Sequence, residues 1–165
     1  MRNYRIIVLC ITITGLALGA LSCQNLRSIT GPKATLEVIP AETFLSPALI
    51  GKPISFKGSG FQPKEMVSVE MILPPGLKMK GLKEGENLVG VAFATADEEG
   101  SFNAAMAPTA TLNWLFQVGW TPLLRPNLKE ARPIPPGVYQ INATGLDTDR
   151  IATATLKIVP PPKKK

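Results

Sequence analysis

Hydrophobic and polar residues alternate along several short segments of this chain. In residues 137–145, for example, Tyr139, Ile141 and Ala143 fall on the same face of an extended chain. An alternation with a period of two is typical of a half-buried β-strand. Such patterns, together with short apolar runs that end at turn residues, predict about seven strands, at residues 34–39, 53–57, 66–73, 88–96, 101–107, 137–145 and 151–159.

Turn residues separate these segments. Turn signals recur roughly every 8–12 residues, as in antiparallel β-sandwiches, and 16 prolines interrupt the chain. Alternating segments, rather than continuous apolar runs, argue against a parallel α/β sheet. We therefore predict an all-β fold, an antiparallel sandwich. The turn at residues 97–100 predicts a hairpin between segments 88–96 and 101–107, with Gly100 at the positive φ that such turns require.

Two regions of the predicted sandwich resemble a known family. They contain GSGFQPKE, then DEEGSF, then PGVYQINATG, within residues 50–107 and 135–159. This order is similar to that of bacterial extracellular Ig-like domains (IPT/TIG-like). The resemblance implies an Ig-like sandwich in which Gly58 and Gly60 shape a turn and Phe61 fills one end. It also implies that Tyr139 lies near the start of a late strand, but it says almost nothing about activity, because one fold hosts unrelated functions.

Residues 108–134 form an insertion that a compact member of this family would not need. Long connections inside compact domains are uncommon and often functional. Two conformations fit its sequence. One is a short helix capped by Thr111, which would bring together residues spaced by three and four: Leu112, Leu115, Phe116 and Trp120. The other is an irregular strand with Trp114, Phe116 and Val118 on one face.

The insertion contains both tryptophans of the chain, and these carry its candidate chemistry. Trp114, Phe116 and Trp120 could form an aromatic platform for a sugar ring or a partner protein. Alternatively, the insertion covers an edge or end of the sandwich and its tryptophans are simply buried. We favour burial, because large aromatic side chains are mostly buried in folded proteins.

The first 23 residues have the character of an export signal. Arg2 and Arg5 precede an uncharged run at residues 6–21, and small residues lead to Cys23. The run is shorter than the roughly 20 residues of a membrane-spanning helix. The segment resembles a bacterial lipoprotein signal. That resemblance implies cleavage after Ser22 and attachment of diacylglyceryl and further acyl (palmitate) chains to Cys23. The alternative is ordinary secretion with Cys23 an incidental thiol.

This resemblance divides the chain into a signal peptide at 1–22, a lipidated tether at 23–33, the Ig-like domain at 34–160 and a lysine-rich tail at 161–165. The expected location is the extracytoplasmic face of the cell membrane or the outer membrane. The residue after the cysteine is Gln24. In proteins with this signal, a residue other than Asp at this position usually permits transfer to the outer membrane. The expected partners are the membrane, through the lipid on Cys23, and an envelope protein or cell-wall glycan.

The charge of the chain adds little to this picture. The net charge is +6, and losing Arg2 and Arg5 leaves sixteen basic and twelve acidic residues, or +4. Because no basic stripe with interleaved aromatic residues is present, nucleic acid is not an expected partner. A loop at residues 77–87 contains three lysines and is expected to be solvated rather than bound to an acidic surface. These are Lys78, Lys80 and Lys83.

The residues that most enzymes use are missing or scattered. The chain has no histidine, which removes Ser-His-Asp and Cys-His catalysis and all His-ligated zinc. Calcium at the acidic turn 97–99 is not favoured, because no calcium-loop motif is present. We therefore expect no cofactor, no metal and no catalysis. The predicted function is a lipid-anchored module for protein–protein interaction or structural spacing at the cell envelope. The alternatives are a carbohydrate-binding module and, last, a small accessory hydrolase.

Overall fold

A computed structural model describes residues 33–162 of the protein. The expectations about the signal segment, Cys23 and the final lysines lie outside these residues. These described residues belong to one compact unit. None of the helices within the described range has the length and apolar character that crossing a membrane would require.

Regular structure in this unit is mostly β-strand. The strands are β1 (Thr35–Ile39), β2 (Glu42–Phe44), β3 (Ser55–Ser59), β4 (Met66–Ile72), β5 (Leu88–Thr95), β6 (Phe102–Ala105), β7 (Gly119–Trp120), β8 (Pro126–Asn127), β9 (Gly137–Gly145) and β10 (Ile151–Val159). The helical segments are α1 (Ala48–Gly51), α2 (Pro108–Ala110) with a π-helical turn at Thr111–Leu115, and a 3-10 turn at Leu128–Glu130. The predicted all-β fold is confirmed.

The strands form two main sheets and a short ribbon. One sheet has the order β1-β3-β6, and the other has the order β2-β10-β9-β4-β5. All neighbours are antiparallel except β2 and β10, which run parallel. The ribbon pairs β7 with β8. The seven predicted strands correspond to β1, β3, β4, β5, β6, β9 and β10, whereas the shorter β2, β7 and β8 were not predicted.

Alternate residues of both sheets share a single hydrophobic core. Phe56 from the three-stranded sheet and Val69, Ile141 and Leu156 from the five-stranded sheet are all fully buried within it. Burying a side chain of this size contributes about 1.5–3 kcal/mol. The period-two pattern of the sequence therefore reflects one apolar face on each sheet.

The predicted hairpin between β5 and β6 is wrong. The turn between them forms as expected, because Gly100 has a φ of +74° and Asp97 Oδ1 accepts from Ser101 N at 2.7 Å. The chain nevertheless passes from one sheet to the other, so that β5 pairs with β4 and β6 with β3. Local turn chemistry does not distinguish the two arrangements, because alternating strands can bury their apolar faces from either side of the core.

Gly58 does not shape a turn as the family resemblance implied. It lies inside β3, where a Cβ atom would come within 2.2 Å of the Phe102 ring. The residue is therefore small because an aromatic ring covers it. Gly60 does turn the chain, with a φ of +82°. Phe61 is buried and meets Phe102 edge-to-face, with the ring centroids 5.4 Å apart.

The strand register defines two ends of this unit. The N-terminal end carries Lys33, where the described chain begins, and the loops 60–65, 97–100 and 146–150. The other end, which we call the insertion end, carries the β4–β5 loop and the long β6–β9 connection. The nine residues of β9 between the two ends span roughly 30 Å at the usual rise of a strand.

Candidate functional site

The insertion begins as a helix and is fixed to the sheet edge. Ala107 N donates to Val91 O of β5 at 3.0 Å, and the helix starts at Pro108. Proline suits the first helical position because its missing N–H would have no partner there. Thr111 is not the cap that the helical alternative required. It lies within the helical segment, where its hydroxyl donates to Ala107 O at 3.3 Å, and the strand alternative is also wrong over Thr111–Leu115.

The insertion returns to the core before β9. Leu115 and Ile134 are buried in the main core. Ile134 N donates to Leu115 O at 2.9 Å, and Arg132 N donates to Phe116 O at the same distance. The two ends of the insertion are therefore hydrogen-bonded to each other, and both are attached to the main core through buried apolar side chains.

Trp114 covers the outer strand of the five-stranded sheet. Its ring is half-buried against the core, and its Nε1 donates to Gly90 O of β5 at 3.1 Å. Gly90 lies beside a bulge in β5, where the pairing with β4 shifts between Val69 and Glu70. Backbone groups of an edge strand are open to other chains unless something covers them. Trp114 therefore covers part of this sheet edge, although its ring is half-buried rather than fully buried.

Trp120 and Phe116 are placed differently. Trp120 lies in the ribbon and is 41% exposed, and its Nε1 donates to Asn113 Oδ1 at 2.7 Å. Phe116 is half-buried and packs against the core. Of the three candidate residues, Trp120 is thus the most exposed. Leu123 and Leu124, at the tip of the same ribbon, are also highly exposed.

A groove of about 860 Å³ lies at the insertion end. One wall is the lysine-rich loop after β4, and the other is the final part of the insertion. Its lining includes four cationic side chains and one carboxylate: Lys78, Lys80, Lys129, Arg132 and Glu130. Lys78 and Lys80 belong to the loop that is visibly lysine-rich in the sequence, but Lys129 and Arg132 were not predicted to join them, because nothing local indicates that these segments meet.

The single carboxylate of the groove is already engaged elsewhere. Glu130 Oε1 accepts from Asn127 Nδ2 at 2.8 Å, and its other oxygen faces Gly119, where a Cβ atom would come within 2.3 Å of it. The ion pairs recorded within residues 33–162 involve Lys64 and Lys157, on other parts of the surface. The groove therefore keeps an excess of positive charge.

A buried carboxylate at the N-terminal end was also missed. Glu65 is 1% exposed, and its side chain accepts from Gln62 N and, at 3.0 and 3.2 Å, from the Thr148 hydroxyl. Arg150 Nη1 donates nearby to Gly60 O at 2.8 Å. These contacts join the loops 60–65 and 146–150. Glu65 is satisfied by its hydrogen bonds and holds this end of the unit together.

The acidic turn considered for calcium is closed by its own backbone. Asp97 Oδ1 accepts from Glu99 N at 3.1 Å and from Ser101 N. Within the described residues, no group of three or more acidic, cysteine or histidine side chains is arranged to hold a metal ion. Cys23, the predicted lipidation site, lies outside the described residues.

Comparison with protein-family models and with curated proteins finds no match. Among solved structures, the chain is similar to the selenomethionine-labelled β-glucosidase from Kluyveromyces marxianus, at 13% identity and a TM-score of 0.37. The similar region covers 77% of this chain and 15% of that enzyme. The chain therefore corresponds to a small part of the enzyme's length, and a likeness of this degree carries no argument about function.

Proposed function

We propose that residues 34–160 form an Ig-like sandwich. The strand order supports this. In immunoglobulin-type domains, strands A, B and E share one sheet, and strands C, F and G share the other. The sheets β1-β3-β6 and β10-β9-β4 match these two sets in chain order. β2 and β5 extend the second sheet at its two sides.

Tyr139 supplies a second argument for the Ig-like sandwich. It stands near the start of β9, the strand that corresponds to F, and its hydroxyl donates to Pro135 O at 2.6 Å. A tyrosine at this place that bonds back to the backbone just before it is the tyrosine corner of Ig-like sandwiches. The resemblance between sequences and the geometry of this residue thus agree.

The proposed function is that of a non-catalytic module, anchored by lipid on Cys23 outside the cytoplasm, which presents its insertion end to a partner in the cell envelope. One observation carries this proposal: the chain enters the unit at Lys33, while the ribbon and the groove lie at the opposite end. A tether that joins at Lys33 would leave the insertion end farthest from the membrane. Exposed apolar residues on the ribbon, such as Leu124, fit a docking role.

The anchor is tested by feeding cells an alkyne-bearing fatty acid and measuring label on the purified protein. Cys10→Ala is the matched control, because Cys10 lies in the segment that would be removed. We expect the parent and Cys10→Ala to carry label and Cys23→Ala to carry none. Labelling of Cys23→Ala, or an unlabelled parent, would contradict the proposal.

The orientation is tested on the lipidated protein in vesicles that contain an acceptor-labelled lipid. A donor dye is placed on a cysteine introduced by Asp147→Cys at the N-terminal end or by Leu124→Cys at the ribbon tip. Both positions are exposed. We expect stronger energy transfer from position 147, which would lie closer to the membrane. Equal or stronger transfer from position 124 would contradict the proposed orientation.

A further inference from the structure

We infer that the groove at the insertion end binds an acidic polysaccharide, through Lys78 and Lys80 on one wall and Lys129 and Arg132 on the other. This inference deepens the proposed function and rests on it for the class of partner, because anionic polysaccharides are a partner available outside the cytoplasm. The groove itself is a property of the described residues and can be tested without the lipid.

The backbone segments that carry the cations of the groove are fixed to the hydrophobic core. Met79 is 7% exposed and belongs to the hydrophobic core. Lys78 and Lys80, its neighbours on either side, are exposed. The loop at residues 77–87, which was expected to be solvated, is therefore fixed to the core at Met79, between its two groove lysines.

The opposite wall has the same construction. Ile134 is buried, and Arg132, two residues earlier, is fixed through its backbone N–H to Phe116 O. Lys129 lies in the 3-10 turn, and its backbone N–H donates to Oδ1 of the N-cap residue Asn127 at 3.2 Å. Side chains on fixed backbone lose less conformational entropy on binding than side chains on a free loop.

The charges are distributed as a linear polyanion requires. The four cations stand on two walls, all of them exposed, and none is neutralised by an ion pair within residues 33–162. A single phosphate would be held by converging donors at one point, whereas separated cations suit charges that repeat along a polymer. A volume of about 860 Å³ lies within the range of small-ligand sites and admits a short stretch of such a chain.

The lining favours sugars over an acidic peptide. One way in which extended peptides bind is to add a strand to an open sheet edge, but the lining residues belong to loops and to a 3-10 turn. Gln117, Pro133 and Pro135 also line the groove. They supply an amide for hydroxyl groups and flat apolar surface for the carbon faces of sugar rings.

The test uses polygalacturonate as the probe and the lipid-free chain 24–165, which retains the compact unit with its whole described core. Titration calorimetry at low salt measures the affinity of the parent, of Lys129→Gln/Arg132→Gln, and of the control Lys33→Gln/Lys57→Gln. The two double variants lose the same charge, and both keep the lysine tail. Far-UV circular dichroism verifies that each variant is folded.

We expect the groove variant to bind at least about tenfold more weakly than the parent and the control to stay within about twofold. The affinity should fall with added salt, because exposed charges are screened, and neutral dextran should not bind. Equal loss in both variants, or no binding by the parent, would overturn the inference. Equally tight binding of poly-L-glutamate would overturn the assignment to a polysaccharide. None of these results depends on the lipid, so they separate failure of the groove from failure of the anchor.

Discussion

Tyr139 combines burial with one committed hydrogen bond at the start of β9. Its side chain is 1% exposed, and desolvation raises the pKa of its hydroxyl above the ordinary value of 10.0. Because the pKa in the folded state lies above that of the unfolded chain, the folded state keeps this proton longer. The resulting stability is fully present below about pH 10 and is lost as the pH rises through the folded pKa.

We predict that Tyr139→Phe lowers the free energy of unfolding at neutral pH by about 1 kcal/mol, since it removes the bond to Pro135 O. Above pH 10 the parent should lose stability faster than the variant, because the variant has no phenol to ionise at this position. Urea unfolding at pH 7 to 11 measures both effects. Parallel pH dependence in the two proteins would contradict the prediction.

Single residues were predictable where a local rule decides them. Gly100 has the positive φ that its turn requires, and Tyr139 stands at the start of a late strand, as the sequence indicated. Gly58 was not predictable, because its size is set by the Phe102 ring, which approaches from another strand. Glu65 was missed for the same reason, since its partner Thr148 is distant in sequence.

At the scale of elements, periodicity located the strands well and their partners poorly. β9 and β10 have the predicted bounds, because each has a long alternating pattern that ends in clear turn residues. β2, with only three residues, is too short to show a pattern. The pairing of β5 and β6 could not be derived from their turn, because sheet choice depends on contacts with β3 and β4.

The sequence of the insertion was compatible with two conformations, because its apolar residues fit both the three-and-four spacing of a helix and the period of two of a strand. The structure forms a helix, which lets Leu115 enter the core while Trp114 reaches the carbonyl of Gly90. Trp114 and Trp120 each make one bond through the indole N–H, but they differ in burial. This difference gives a matched pair of substitutions.

We predict that Trp114→Phe lowers the free energy of unfolding by about 1 kcal/mol, whereas Trp120→Phe changes it by less than about 0.5 kcal/mol. Both variants keep an aromatic ring and lose an indole N–H. The loss at position 114 leaves a carbonyl of an edge strand without its partner. The bond of Trp120 is instead to the Asn113 side chain within the insertion, and Trp120 is 41% exposed. Urea unfolding followed by far-UV circular dichroism compares them, and a larger cost at position 120 would be inconsistent with the edge-covering role.

At the scale of the whole molecule, the insertion shares its core with both sheets. Leu115 and Ile134 belong to the same hydrophobic cluster as Phe56 and Ile141. An element whose buried residues are part of the main core cannot be lost without exposing that core. It should therefore unfold together with the sheets.

We predict a single cooperative unfolding transition. Tryptophan fluorescence reports on the insertion, which contains both tryptophans, and far-UV circular dichroism reports mainly on the sheets. The midpoints in urea should coincide. A fluorescence transition at clearly lower urea would show that the insertion melts first and is a separate element.

Which loops lie together at each end of the unit could not be predicted from the sequence. It depends on register between strands that are far apart in the chain, such as Val67 with Gly145. The groove depends on it as well, because the two walls are separated by about fifty residues of sequence. The candidate lysines were visible in the sequence, but the guanidinium and ammonium groups opposite them became apparent only from the structure.

The direction of β10 has a practical consequence for experiments on this protein. Its last residues, Ile158 and Val159, lie beside Gly137 and Phe44, next to the proline-rich segment that borders the groove. An acidic affinity tag that follows β10 would start at the end of the unit that carries the cations and compete with an anionic ligand for them. A tag placed before Lys33 would emerge at the opposite side of the unit and leave the groove accessible.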